Sequence, residues 1–236
     1  VTAYLRTVEP SVAVTAEQEY SCITATTVVI SGACEAAAAS VFNALAAREA
    51  QWGSSPAFHE ALQAARVVVQ NGSPAGEHRD ASMAENAVWM RDHRGASGKV
   101  LLWAHNTHLA KGESIWAGEK PMGKLLATKF GSRYFVIGTM TAAGSFRQWD
   151  PRNSRHIVTS FPPLAPDAIE TSIRQRGLPY LLIPLRGAVP SWLSAVAPYN
   201  TAAGSGDPGL EASLPEQFDA VIFIDTTTPL EAIRDN

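Results

Sequence analysis

The sequence predicts an α/β fold, a mostly parallel sheet flanked by helices, with a helical subdomain in the N-terminal third. Three observations carry this. The first third is alanine-rich and punctuated like a set of helices. After Gly98, short and continuously apolar runs recur, of the kind that form strands covered on both faces. Helix-like segments lie between some of these runs, and such alternation marks a sheet that is at least partly parallel.

Taken in order, Ser31 to Trp52 is alanine-rich without an internal proline and reads as one helix capped by Ser31. Gly53 and Pro56 punctuate it. A second helix fits Pro56 to Gln70, stopped by Asn71-Gly72. A third fits Glu77 to about Arg94 and closes at Gly95. The strand-like runs are KVLLWAH (Lys99 to His105), RYFVIGTM (Arg133 to Met140), LPYLLIPL (Leu178 to Leu185) and FDAVIFID (Phe218 to Asp225). Pro121 to Phe130 and Pro166 to Arg176 read as helices, SFRQWD from Ser145 as an antiparallel strand, and Ala202 to Pro208 as an exposed loop. The expected division is a helical segment at 1–75 and an α/β portion carrying the site at 76–236.

The chain's 236 residues suffice for one large domain with a real core. A net charge of −3 argues against a nucleic-acid or anionic-membrane binder. No apolar run approaches the roughly 20 residues that span a bilayer. No signal-peptide pattern is present, so a cytoplasmic location is expected. Cys22 and Cys34 make neither a disulfide framework nor a zinc set, and both are expected to be buried and reduced.

The chemistry gathers at VLLWAHNTHLAKG, Val100 to Gly112. In an open parallel sheet, ligands collect beyond the carboxyl ends of the strands. His105 falls at such an end, on the side of Leu101 and Trp103, and His108 follows in the loop. An imidazole there can take a proton, hold one, or stabilise developing negative charge. The plain alternative is a strand-terminal histidine bonded to backbone. The spacing H-x-x-H on a strand end is not the helical H-E-x-x-H of zinc sites, so no metal is expected. On the helix before it, Arg79, Met83, Asn86 and Met90 share one face, with Glu85 about 120° round. An arginine and an asparagine there need partners or a polar cleft.

Gly118 to Leu125 matches G-x-x-x-x-G-K, but Leu125 stands where a phosphate loop needs Ser or Thr. Gly123 is expected instead to let a helix start lie close to the sheet. Asp225, ending the last run, is a weaker candidate, best read as capping a turn with the threonines after it. No G-x-S-x-G elbow is present, so covalent catalysis has no visible nucleophile.

RDASMAENAVWM, then KVLLWAHNTHLAKG, then PMGKLL resembles the erythromycin esterase family, and FDAVIFID looks like its last strand. The resemblance implies a metal-independent hydrolase without cofactors that opens an ester or macrolactone by base-activated water. It implies catalytic roles for His105, His108 and Glu85, and substrate-binding roles for Arg79, Asn86 and Asn106. The family's N-terminal G-E-x-x-H-G-like motif, which supplies a base histidine and a glutamate, is absent: Gly76-Glu77-His78 has the wrong spacing and Gly112-Glu113 lacks the histidine. The chain is therefore expected to be part of a longer protein. Its expected partners are a small ester or lactone and a segment or second chain carrying the missing half, with no nucleic acid and no membrane. The alternative is a non-catalytic small-molecule-binding or interaction module.

Overall fold

The computed structural model describes residues 1–23, 30, 32–72, 78–93, 95, 97–112, 120–150, 152–199 and 210–231. The chain divides into two compact units, Val1–Val100 and Leu101–Asn236. The helix carrying Arg79 to Asn86 falls in the first unit, where its side chains bond to the helix before it.

The first unit is helical: α1 (Thr2–Val8), α2 (Pro10–Glu19), α3 (Ala33–Ala46), α4 (Glu49–Trp52), α5 (Pro56–Gln70) and α6 (Arg79–His93). Pro10 and Pro56 open their helices at the first turn, where no intrahelical N–H is lost. Leu5, Ala13, Ala16, Val41, Leu45, Phe58 and Ala65 form the core. Tyr4, Trp52 and Phe58 meet there with ring centroids 6.1 to 6.3 Å apart.

The single helix expected from Ser31 to Trp52 is two, α3 and α4, and Ser31 lies outside the described residues. The break has a cause at Arg48. Its Nη1 donates to the Ala44 carbonyl at 2.8 Å and so caps the end of α3. Its Nε and Nη2 grip the Glu9 carboxylate at 2.8 and 3.1 Å. That pair holds the Glu9 carboxyl below its usual range through the hydrogen bond from Arg48.

The cysteines also depart from expectation. Cys22 and Cys34 form a disulfide with their Cα atoms 5.9 Å apart, and neither is buried. A short 3₁₀ turn, Tyr20–Cys22, ends α2 beside the start of α3, which brings the two thiols within bridging distance. A spacing of twelve in sequence carries no sign of that proximity.

The second unit is α/β. It comprises α7 (Asn106–Leu109), α8 (Met122–Phe130), β1 (Ile137–Asp150), β2 (Arg155–Ser160), α9 (Ile169–Arg174), β3 (Tyr180–Pro184), α10 (Ser191–Ser194), β4 (Ala197–Tyr199), β5 (Leu210–Ala212), α11 (Leu214–Gln217) and β6 (Ala220–Thr227). The main sheet has the order β2-β1-β6-β3, and β4 pairs with β5 separately. The sheet is mixed rather than mostly parallel: β1 and β6 are parallel, while β1–β2 and β3–β6 are antiparallel. The β1–β2 hairpin explains the first of these. SFRQWD is the far half of β1, and Asp150 turns the chain by accepting from the Arg152 N–H at 3.0 Å and the Asn153 amide at 2.7 Å. A connection that short admits only antiparallel pairing. The loop expected at Ala202 to Pro208 lies outside the described residues.

One face of this sheet is covered. Val136, Met140, Val221 and Phe223 pack with Ile169 and Ile173 of α9, Leu193 of α10, Leu214 of α11, and Phe218. The opposite face is covered at Thr141 and Ala220, which are buried, and open elsewhere. Cross-strand register aligns Ile137, Ala220 and Pro184, then Thr139, Ile222 and Leu182, then Thr141, Ile224 and Tyr180. Ile137, Ile222, Leu182 and Tyr180 are exposed there, with Tyr180 at 70%. Lys99 to His105, expected as a strand covered on both sides, forms no strand and joins no ladder among the described residues. Its alternation survives: Leu101 and Trp103 are 93% and 95% exposed, while Val100, Leu102 and Ala104 are half-buried.

Candidate active site

His105, Asn106 and His108 lie on one turn of the second unit. His105 caps α7, its Nδ1 accepting from the Thr107 N–H at 3.3 Å and lying 2.9 Å from Thr107 Oγ1. Its carbonyl accepts from the His108 N–H at 3.0 Å. His105 is exposed and His108 half-buried.

Asn106 is 7% exposed and fixes this turn to the sheet. Its Nδ2 donates to the Thr139 carbonyl at 2.6 Å and its Oδ1 accepts from the Thr139 N–H at 3.0 Å. The side-chain amide thus takes the place of a peptide group in a neighbouring strand. A pattern read as substrate-binding is, in its observed contacts, committed to β1.

Further contacts fasten the same loop. The Tyr134 hydroxyl donates to the Leu109 carbonyl at 2.7 Å. Burial, then the nearby Asp219 charge, pushes that phenol well above its ordinary range. The Lys111 N–H donates to the Gln217 carbonyl at 3.0 Å, and the Gly112 N–H to Gln217 Oε1 at 3.1 Å. Gly123 lies against the carbonyls of Leu109 and Ala110, where a Cβ would overlap both. Its close approach is therefore to the end of α7, not to the sheet.

Asp219 gathers the base of the loop. It is 4% exposed and accepts from Arg186 Nε at 2.7 Å, the Val136 N–H at 2.8 Å and Lys111 Nζ at 3.0 Å. Burial alone would raise its carboxyl, but these three donors outweigh it and the net shift is downward. The sequence reading took FDAVIFID only as a strand and so missed this residue. Its signal was a carboxylate next to an apolar run, which needs partners when buried. Asp225, from the same run, was expected to cap a turn, but β6 continues through it to Thr227; its carboxylate pairs with Arg174 of α9 at 2.9 Å and accepts from Thr226 at 2.9 Å.

Arg79, Glu85 and Asn86 belong to α6, in the helical unit. There the buried face is Asp80, Ala84 and Ala87, and Arg79 and Met90 are exposed. Asn86 accepts from Gln63 at 2.7 Å and donates to Gln70 at 2.9 Å. Glu85 pairs with Arg66 at 2.8 Å and accepts from Gln70 at 3.2 Å. Glu85 and Asn86, read as facing different ways, both reach α5 because glutamine and arginine side chains span the gap. Among the described residues, no group of three or more His, Cys, Asp or Glu side chains is placed to hold a metal ion. No described helix is long and apolar enough to cross a membrane.

The family model described as Erythromycin esterase matches residues 1–227. A protein named "Putative hydrolase YbfO", from Bacillus subtilis (strain 168), is 25% identical over 168 residues, 66% of this chain and 36% of that one. Among solved structures, a Bacillus cereus protein is similar with a TM-score of 0.77 at 20% identity, over 96% of this chain and 62% of its own. A succinoglycan biosynthesis protein gives 0.73 at 20% identity, over 97% and 60%. The erythromycin esterase EreC, a histidine-to-asparagine mutant in its open conformation, gives 0.62 at 17% identity, over 95% and 64%. At these identities the structural likeness shows the fold alone. The chain spans 36% of the Bacillus subtilis protein and 60 to 64% of the three solved chains.

Proposed function

The chain belongs to the erythromycin esterase family, and from that premise we propose that it carries the imidazole half of a hydrolase that opens an ester or macrolactone. The observation that supports this most is the fastening of the His105–His108 turn. Asn106, Tyr134, Gln217, Asp219 and Gly123 all hold a loop that would otherwise be a simple connection. A rigid backbone beneath two imidazoles is what acyl transfer requires, because the groups must meet developing charge without rearranging.

In the reaction, a base takes one proton from water as its oxygen bonds to the acyl carbon. The carbonyl oxygen becomes an oxyanion. The intermediate then collapses, the acyl C–O bond breaks, and the departing alkoxide recovers the proton. His105 and His108 orient or activate the water, or stabilise the oxyanion. For Glu85 as a catalytic carboxylate, and for Arg79, Asn86 and Asn106 as substrate ligands, the support is the family resemblance. No metal and no cofactor enters this scheme.

The G-E-x-x-H-G-like motif is missing from the sequence, so the base is supplied by a further segment, in the same polypeptide or a second chain. The open sheet face at Ile137, Ile222, Leu182 and Tyr180 is apolar surface that such a segment would cover. The setting is cytoplasmic on the sequence reading, although a disulfide is more at home in an oxidising compartment.

The test is to combine the chain with the additional segment of a longer relative and follow macrolactones and simple esters by mass spectrometry. Gain of one water, unaffected by chelators, is expected. Loss of turnover on chelation would contradict the mechanism. The missing motif also favours a second reading, a non-catalytic binding module, which predicts saturable ligand binding and no hydrolysis by the combined protein.

A further inference from the structure

We infer that residues 100–104 are a latent strand, completed by one extended apolar strand of the further segment, and that this pairing joins the segment to the chain beside the His105–His108 turn. The existence of that segment is shared with the proposed function; the hydrolysis is not. The run reads VLLWA and carries no charge. Val100, Leu102 and Ala104 are half-buried, while Leu101 and Trp103 between them are 93% and 95% exposed. A period of two in burial is the pattern of a strand, yet no ladder includes the run. Among the described residues, no backbone N–H or C=O of residues 100–104 takes part in a hydrogen bond.

These observations choose the occupant. Once Leu101 and Trp103 are covered, the peptide groups beside them need donors and acceptors, because a buried backbone group without a partner is costly. A helix cannot supply them, since its own groups are bonded internally, whereas an added strand can. The exposed indole and leucine in an uncharged run select apolar side chains at alternate positions of that strand. The main sheet offers poorer places for it. Leu185 N–H donates to the Asp219 carbonyl and Asp225 N–H to the Pro179 carbonyl, so the odd positions of β3 face β6. Pro184 therefore faces outward, where it has no N–H to give, and blunts that edge. On β1, the N–H and carbonyl of Thr139 are already taken by Asn106. The related solved chains have the length to supply a strand, because this chain spans 60 to 64% of them. Since Ala104 leads directly into His105, the added strand borders the imidazole turn.

The test mixes the 236-residue chain with the part of the Bacillus cereus relative that it does not match, made as a separate polypeptide. The readouts are amide hydrogen exchange and Trp103 fluorescence, the latter by difference from a Trp103→Phe variant. In the chain alone, the amides of residues 101–104 should exchange at the unprotected rate. In the mixture they should slow by at least about 100-fold, and the Trp103 emission should shift to the blue. Trp103→Lys should weaken association by about 30-fold or more, the scale of a central interface tryptophan. The urea midpoint of that variant alone should match wild type, because the side chain it replaces is 95% exposed. Absence of association, association that leaves these amides fast, or wild-type association by Trp103→Lys would overturn the inference. So would protection in the chain alone; if it grows with concentration, the occupant is a second copy. Association with protected amides but no ester turnover sinks the hydrolase reading alone, while turnover with residues 101–104 unprotected sinks this one alone.

Discussion

Replacing Asn106 by alanine is the most informative perturbation of the fold around the site. The side chain is buried and makes two short bonds to the backbone of Thr139, 2.6 Å through its amide nitrogen and 3.0 Å through its oxygen. Alanine withdraws both partners. Leaving a buried backbone donor or acceptor unpaired costs about 1–3 kcal/mol each. Thr139 itself is exposed, so water recovers part of that loss, and the lower half of the range applies. The expected destabilisation of the second unit is about 2–3 kcal/mol, a fall in Tm of roughly 4–12 °C for a chain of this size. Asn106→Asp should cost at least as much. The carboxylate still accepts from the Thr139 N–H, but it has no proton for the Thr139 carbonyl and sets a negative charge against it. Urea unfolding gives the total, and hydrogen exchange at the Thr139 amide gives the local part, with about 30-fold faster exchange for ~2 kcal/mol. A change in stability below about 0.5 kcal/mol, the range of ordinary surface substitutions, would refute the argument that this amide replaces a strand partner.

Gly123→Ala should destabilise the second unit by about 2 kcal/mol in urea unfolding despite alanine's better helix propensity, because backbone carbonyls cannot yield as side chains do. Unchanged stability would show that α8 has room to move. Asp219 gives a pH dependence. Its carboxyl is held below the usual range, so its contribution is complete above the unfolded carboxyl value near about pH 4 and is lost as pH falls through the lower folded value. Urea midpoints should fall with acidification through that window, and Asp219→Asn should flatten the fall while costing about 2–3 kcal/mol at neutral pH, below the fully buried range because Arg186 is half-exposed. Reducing the Cys22–Cys34 bridge should cost the helical unit about 2–3 kcal/mol, read from urea unfolding with and without reductant. Two thiols titrating freely in unreduced protein would contradict the bridge.

The features legible in the sequence were those set by neighbouring residues. Pro56 and Asn71-Gly72 bracket α5 as expected, because a proline start and a glycine stop act locally. The run from Leu178 contains β3, and those from Arg133 and Phe218 cover the starts of β1 and β6, because continuous apolarity needs no partner to be recognised. The break at Arg48 was hidden, since it depends on Glu9, 39 residues away. The Asp219 cluster was hidden for the same reason: its bond to Lys111 spans 108 residues. The direction of β3 was not legible either, because an apolar run reads alike in parallel and antiparallel neighbours. At the candidate site, the His105–His108 turn was visible as a motif, but the commitment of Asn106 to Thr139 was not, since an asparagine beside two histidines suggests a ligand before it suggests a missing strand residue.

Hydrolysis kinetics of the combined protein on an ester or macrolactone, compared among wild type, His105→Ala and His108→Ala, test the account most directly. Each histidine variant is expected to lose about 10²–10³-fold in kcat, the scale of a missing oxyanion donor or general base, with KM little changed and with chelators without effect. Wild-type kcat in either variant would contradict the central claim that the fastened imidazole pair performs the chemistry.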